Sequence, residues 1–112
     1  MATVTEKQLG QLRPANTTAA SLYSPPASTT ALLTVLSIAN TTADEAKFRL
    51  FIDDDGTTYD ETTAIAWDVR ILAETFRHIK LGHSMNDSSG NFAVRTDTNS
   101  ALTFTLSGEE VA

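Results

Sequence analysis

Period-two alternation of apolar and polar residues, broken repeatedly by turn-forming residues, dominates this chain from residue 31 onward. Alternation of this kind turns one face of a β-strand towards a core. Strand-like segments recur every ~8–15 residues, which predicts an antiparallel β-sandwich of about seven or eight strands, either jelly-roll-like or immunoglobulin-like. The residues expected to face inward are Phe48, Leu50 and Ile52 in AKFRLFI, Phe92 and Val94 in NFAVRT, and Leu102, Phe104 and Leu106 in ALTFTLSG.

Composition agrees with an all-β domain. The chain has 112 residues, enough for one domain with its own core. It contains 18 Thr and 9 Ser, and these residue types favour strands and turns over helices. Cysteine is absent, so the chain can form neither a disulfide framework nor a thiolate zinc site.

Charge and hydropathy bear on the partners of the chain. Fourteen acidic and eight basic residues give a net charge of −6, which disfavours direct nucleic-acid binding. The start, MATVTEKQLGQL, lacks the apolar run of a signal peptide, and ALLTVLSIA (31–39) is far shorter than a membrane span. We therefore expect no direct contact with nucleic acid or membrane.

Residues 1–30 differ in composition and in apolar pattern from residues 31–112. They contain all three prolines and repeated Thr and Ser, and proline favours extended backbone and removes a ladder donor. We predict an extended N-terminal arm over 1–30, with a short strand at SLYS, ahead of a β-sandwich domain over 31–112; a flexible tail is the alternative. Isolated apolar residues in this polar arm are the predicted subunit contacts: Leu9, Leu12, Leu22 and Tyr23.

Residues 65–81 fit two patterns. Apolar residues spaced four, three, four and three apart would form a helical stripe. The β-branched and aromatic residues of TAIAWDVRI suit a strand better, with Ile65, Trp67, Val69 and Ile71 on one face. We favour two strands joined by a turn near 73–75, and a helix is the alternative.

The acidic segment FIDDDGTTYDETT (51–63) is tested first as a calcium loop. The EF-hand pattern requires acidic ligands at positions where this chain has Phe51 and Thr62, so the match fails. A weak alternative is an irregular calcium site made from Asp53, Asp55 and Asp60. Because Asp-Gly is a strong hairpin signal, the segment is predicted to be a solvent-facing connection between antiparallel strands.

No pattern of catalytic residues emerges from the sequence. There is no nucleophile elbow, glycine-rich phosphate loop or cysteine nucleophile, and acidic residues at a solvated tip lack the burial that tunes a catalytic pair. His78 and His83 are an odd number of residues apart, so on one strand they would lie on opposite faces. We expect no enzyme activity, no cofactor and no resident metal.

The order of four short motifs resembles that of a group of small virion proteins of tailed bacteriophages. The motifs are LYSPPASTT leading into an apolar strand that ends in Asn40, then FRLFIDDDGTTYDETTA, MNDSSGNFAVR and ALTFTLSGEE. The match runs from Leu22 to Glu110 and is loosest over ILAETFRHIKLGH. No single motif is specific to a mechanism.

The resemblance implies a β-sandwich structural protein of the virion that is assembled in the cytoplasm of a host bacterium. Its implied role is capsid decoration or cementing through contacts with the major capsid protein. The alternatives are a head–tail or tail accessory subunit and a receptor- or glycan-binding module. Open strand edges in a small sandwich further predict a homo-oligomer, either a trimer or a dimer.

Overall fold

The computed structural model describes residues 3–112, which form eight β-strands and no helix. Within that range there is accordingly no helical segment that could cross a bilayer. The strands are β1 (Val4–Leu12), β2 (Ala20–Tyr23), β3 (Thr30–Asn40), β4 (Ala46–Asp53), β5 (Ala64–Ile71), β6 (Phe76–Met85), β7 (Asn91–Thr96) and β8 (Leu102–Val111).

The strands form two four-stranded antiparallel sheets. The first sheet has the order β1-β8-β3-β6 and the second has the order β2-β7-β4-β5. Of the seven connections, only β4–β5 stays within one sheet; the other six cross between the sheets. Eight strands wound in this way are a jelly roll. The all-β sandwich prediction is confirmed, and of its two variants the jelly roll is the one observed.

The inner faces of the two sheets enclose a single core. Phe48 of the second sheet meets Phe104 of the first edge to face, with ring centroids 6.3 Å apart. Full burial of each such side chain stabilises the fold by about 1.5–3 kcal/mol. The alternation predicted for β4, β7 and β8 is confirmed, because its inward residues are buried in or packed against this core: Phe48, Leu50, Ile52, Phe92, Val94, Leu102, Phe104 and Leu106.

Residues 1–30 are not an arm outside the sandwich. Along its length β1 pairs with β8, and β2 pairs with β7, so one strand of each sheet comes from this segment. The predicted strand at SLYS corresponds to β2 (Ala20–Tyr23). The three prolines lie at 14, 25 and 26, in the connections that flank β2, and there they interrupt no ladder. The division at residue 30 is therefore corrected to one domain over 3–112, and residues 1–2 lie outside the described part.

Residues 65–81 form two strands with a turn between them, as the favoured interpretation predicted. β5 ends at Ile71 and β6 begins at Phe76, and Glu74 in the turn has φ of 55°. The helical spacing of apolar residues is coincidental, because the two strands lie in different sheets.

The predicted inward face of β5 is half wrong. Val69 packs against the core and Ile71 is buried, but Ile65 and Trp67 are 37% and 41% exposed. The cause is a β-bulge, since Phe48 pairs with Val69 whereas Leu50 pairs with Ala66. Asp68, with φ of 50°, is the extra residue that reverses the alternation.

Asn40, at the end of β3, ties the first sheet to loops of the second. Its side-chain amide nitrogen lies 2.9 Å from the carbonyl oxygen of Asp44, 3.3 Å from that of Ile71 and 3.2 Å from that of Leu72. Its Oδ1 accepts hydrogen bonds from the backbone amide and the hydroxyl of Thr42. Only 3% of Asn40 is exposed, so few residues could replace it without leaving buried polar atoms unpaired.

Candidate interaction surfaces

The four predicted subunit contacts face the interior of their own domain. Tyr23 is 8% exposed and belongs to the core, while Leu9, Leu12 and Leu22 are partly buried against it. The prediction treated them as isolated anchors because they are far apart in a polar segment. In the structure, the pairing of β1 and β2 with other strands brings them together inside the sandwich, so they are packing residues.

Tyr23 takes part in a polar network that closes one corner of the sandwich. Its hydroxyl donates to Glu110 Oε2 at 2.6 Å, and Lys7 Nζ lies 2.8 Å from Glu110 Oε1. Hydrogen bonds from Lys7 and then from Tyr23 lower the pKa of the Glu110 carboxyl. Burial, reinforced by the hydrogen bond to Glu110, raises the pKa of the Tyr23 hydroxyl. The network joins β1, β2 and β8, and therefore both sheets.

An aromatic and charged stack covers the outer face of the second sheet. The Arg49 guanidinium lies 3.6 Å from the centroid of the Trp67 ring and makes a two-pronged hydrogen bond to Asp68 at 2.6 and 3.2 Å. Phe51, buried beneath the stack, contacts the rings of Trp67 and Tyr59 with centroids 6.2 and 6.0 Å apart. The bond to Arg49 lowers the pKa of Asp68. One ring face of Trp67 and both carboxylate oxygens of Asp68 are thus already engaged within the domain.

The acidic segment is the connection between β4 and β5, which pair antiparallel, as predicted. Asp53 Oδ2 accepts the backbone amide of Thr58 at 2.9 Å, and Asp60 Oδ1 accepts that of Thr62 at 2.8 Å. Hydrogen bonds from Thr58 and from Thr62 lower the pKa values of Asp53 and Asp60, respectively. The pKa of Asp55 is raised, first by its hydrogen bond with Asp53 and then by charge repulsion from it. These carboxylates organise the turn.

The loop packs against the β6–β7 connection. Asn91 Nδ2 donates to the carbonyl oxygen of Gly56 at 2.9 Å. At Gly90 a Cβ atom would lie 2.5 Å from the carbonyl oxygen of Asp54, so only glycine fits at this contact. Between residues 3 and 112 no group of three or more acidic or histidine side chains converges as metal ligands would. The weak calcium hypothesis for Asp53, Asp55 and Asp60 gains no support from this geometry.

The free edge of β6 carries exposed and unpaired side chains. β6 pairs only with β3, so its other side is open. Phe76 is 67% exposed and its ring lies 5.1 Å from that of His78, while His83 is also exposed. Arg77 and Lys80 take part in none of the ion pairs found among residues 3–112. The strand contains no carboxylate, so this edge is basic in an otherwise acidic protein.

The opposite edge of the first sheet, β1, is acidic on its outer face. Glu6 pairs across the ladder with Glu109 of β8, and neither carboxylate has an ion-pair partner in the described chain. Both residues line a groove of about 440 Å³ together with Lys7, Thr34, Ser107 and Gly108. The groove lies where the strand register shifts, between Gln8 and Gly10 in β1 and between Leu33 and Val35 in β3.

Comparison with solved structures finds this fold in virus particles. The crystal structure of the T13 particle of infectious bursal disease virus superposes with a TM-score of 0.58 over 98% of this chain, at 12% identity. The Gx strain of the same virus gives 0.50 over 99% of the chain, at 15% identity. This chain spans 30% and 32% of those two chains. A scan against protein-family models finds no match, and a search of curated proteins finds no relative.

Sequence reasoning did not identify β1 and β6 as the open edges of the first sheet, and it missed the outer stack. The edges could not be assigned from local pattern, because the neighbours of a strand are chosen by pairing between segments far apart in the chain. A signal for the stack did exist, because the alternation that turns Phe48 and Leu50 inward places Arg49 and Phe51 on the outward face of β4. Trp67 was assigned to the opposite face only because the bulge at Asp68 was not recognised.

Proposed function

We propose that this chain is a non-enzymatic structural protein of a tailed-bacteriophage virion, where it decorates or cements the head. The observation that carries the proposal is the strand order β1-β8-β3-β6 and β2-β7-β4-β5. That order makes a jelly roll, a fold common in capsid proteins, and the structures with which the chain superposes come from virus particles. The four phage-like motifs support the assignment to a tailed phage.

The charge distribution favours a position on the outside of the head. Five carboxylates lie in the β4–β5 and β6–β7 connections at one end of the sandwich, and Asp53 at the end of β4 adds a sixth; residues 50–69 and 81–94 contain no lysine or arginine. Packaged DNA repels such a surface. The protein would therefore bind the major capsid protein at the outer surface, after assembly in the bacterial cytoplasm.

The test is a comparison of phage particles with and without this chain. If it cements the head, it is present at a fixed ratio to the major capsid protein. Particles that lack it would then release DNA at a lower temperature, and adding the purified protein would restore the temperature of the complete particle. Quantitative mass spectrometry and a thermal DNA-release assay measure both quantities.

A head–tail or tail accessory role gives a different outcome in the same experiment. The chain would then occur in a small fixed number per particle, and a particle reconstruction would place it at one vertex or along the tail. Heads that lack it would retain their thermal stability but fail to join tails. Absence of the chain from purified particles would contradict both roles.

A glycan-binding role is the second candidate, and one observation favours it. Trp67 is 41% exposed beside Ile65, which is 37% exposed, and sugars commonly stack on exposed aromatic rings. A glycan array probed with the purified chain tests this role. Binding that is lost in Trp67→Ala and kept in Phe76→Ala, an exposed aromatic on the other sheet, would support it. An array without binders, together with tight binding to capsids, would support decoration.

A further inference from the structure

We propose that copies of this chain assemble into a closed ring in which β1 of one copy pairs with β6 of the next. The first sheet then continues from copy to copy. The inference goes beyond the virion role, and it assigns a purpose to two edges that the domain leaves open at opposite sides of one sheet. Unpaired edges of exposed strands are templates for pairing with another chain.

The strand directions of the first sheet suit this arrangement. Its four strands are antiparallel to their neighbours, so β1 and β3 run one way and β8 and β6 run the other. A neighbouring copy related by rotation about an axis along the strands presents its β1 antiparallel to β6. β1 has 9 residues and β6 has 10, so the two edges also match in length.

The charges on the two edges are complementary. β6 carries Arg77 and Lys80, and neither forms an ion pair within residues 3–112. The β1 edge carries Glu6, beside Glu109 of β8, and these carboxylates are also without ion-pair partners there. Opposite charges placed across a strand pair stabilise it, whereas like charges destabilise it. A second copy of the chain therefore supplies an oppositely charged partner for each edge.

A two-fold pairing of β6 with itself is disfavoured by the same charges. In any antiparallel register of β6 with β6, its basic residues would meet no carboxylate, because the strand contains none. The contact is therefore heterologous, joining two different edges. Such a contact closes into a ring only with three or more copies, which favours the trimer over the dimer.

One register places opposite charges of the two edges across from each other. Glu6 and Lys80 both lie on the outer face, since Glu6 pairs with Glu109 in its own sheet and Lys80 pairs with Val35. Placing Glu6 across from Lys80 brings Gln8 to His78. The bulge between Gln8 and Gly10 interrupts this register, because Gly10 faces inward, where a Cβ atom would lie 2.6 Å from the carbonyl oxygen of Leu22.

Sedimentation velocity and native mass spectrometry of the full chain test the proposal. The unaltered chain is expected to form one closed species of three or more copies at low salt, which dissociates near ~1 M salt because exposed charges are then screened. Glu6→Lys and Lys80→Glu each place like charges together. Each is expected to raise the concentration needed for assembly by about tenfold or more. The double variant Glu6→Lys/Lys80→Glu restores the pair and is expected to assemble again.

The matched control is Lys47→Glu, which makes the same change in charge on the second sheet and is expected to assemble like the unaltered chain. Thermal melting of every variant confirms that it is folded. A chain that stays monomeric at low salt, a double variant that does not recover, or a two-fold dimer would each overturn the proposal. Because the measurement uses the purified chain, its failure would leave the virion role untouched, and absence from particles would leave the ring untouched.

Discussion

The outer surfaces of the two sheets differ in how fully their side chains are engaged. On the second sheet, Arg49, Trp67 and Asp68 bind one another above the buried Phe51. On the first sheet, Lys80 at one edge and Glu6 at the other form no ion pair within the described chain, and the Phe76 ring stays 67% exposed beside His78. Exposure alone therefore does not identify a binding surface. This difference is why the proposed contacts between copies are placed on the first sheet and not on the stack of the second sheet.

The largest expected effect on stability comes from the core, and it tests whether the two sheets contribute equally there although their outer surfaces differ. Phe104→Ala in the first sheet and Phe48→Ala in the second should each lower the free energy of unfolding by about 3–5 kcal/mol, because each leaves a cavity at the same ring contact. Urea unfolding followed by circular dichroism measures both. A much smaller loss in one of them would mean that the core is shared unequally between the sheets.

The next effect concerns the junction between the sheets at Asn40. Asn40→Ala should cost about 2–4 kcal/mol, because buried carbonyl groups lose their donor. Asn40→Asp keeps the acceptor for Thr42 but places a carboxylate against those carbonyls, and should cost at least as much. Thr41→Ala, at an exposed neighbouring site, is the control and should change stability by less than ~0.5 kcal/mol. An Asn40→Ala protein of unaltered stability would contradict this role.

Trp67→Ala tests whether the outer stack of the second sheet contributes to the stability of the fold. If the stack belongs to the fold, removing the ring should lower stability by about 1–2 kcal/mol, through the lost contacts with Arg49 and Phe51. Phe76→Ala removes a more exposed ring from the first sheet and should leave the monomer within ~0.5 kcal/mol of the unaltered chain. Unfolding is measured under conditions in which both proteins are monomeric. Equal losses of stability in the two variants would show that Trp67 and Phe76 contribute alike to the fold.

The smallest effect is the pH dependence of the corner network of Tyr23, Lys7 and Glu110. The pKa of Glu110 is lower in the folded chain than its ordinary value of 4.5. Its contribution to stability is therefore fully present above pH ~4.5 and is lost as the pH falls through the folded pKa. Tyr23→Phe should cost about 0.5–1.5 kcal/mol at neutral pH and less in acid.

The measurement is the melting temperature as a function of pH, with Glu109→Gln as the control. Glu109 is the neighbouring glutamate of β8 and forms no ion pair in the described chain. Its variant should follow the unaltered profile, whereas Glu110→Gln should flatten the acid limb. Identical acid limbs in Glu110→Gln and the unaltered chain would show that the network contributes nothing to acid stability.

Much of the fold could be predicted because alternation is a local property. The inward sets of β4, β7 and β8 and the turn around Glu74 were assigned correctly from spacing and residue type. The bulge at Asp68 was not, because one extra residue in a strand leaves no mark on composition. The interaction surfaces were predicted least well, since apolar residues scattered along a polar segment look the same whether they face a partner or a core.

The sequence by itself determined the class of this protein: an acidic, cysteine-free, all-β domain whose alternating segments must pair and bury one face. Tertiary structure alone decided which strands became neighbours, and that decision placed Leu9, Leu12, Leu22 and Tyr23 inside and left β1 and β6 open. The physical reason is that alternation specifies the two faces of a strand but not its two edges. Partners along an edge are chosen by backbone hydrogen bonds between segments far apart in the chain.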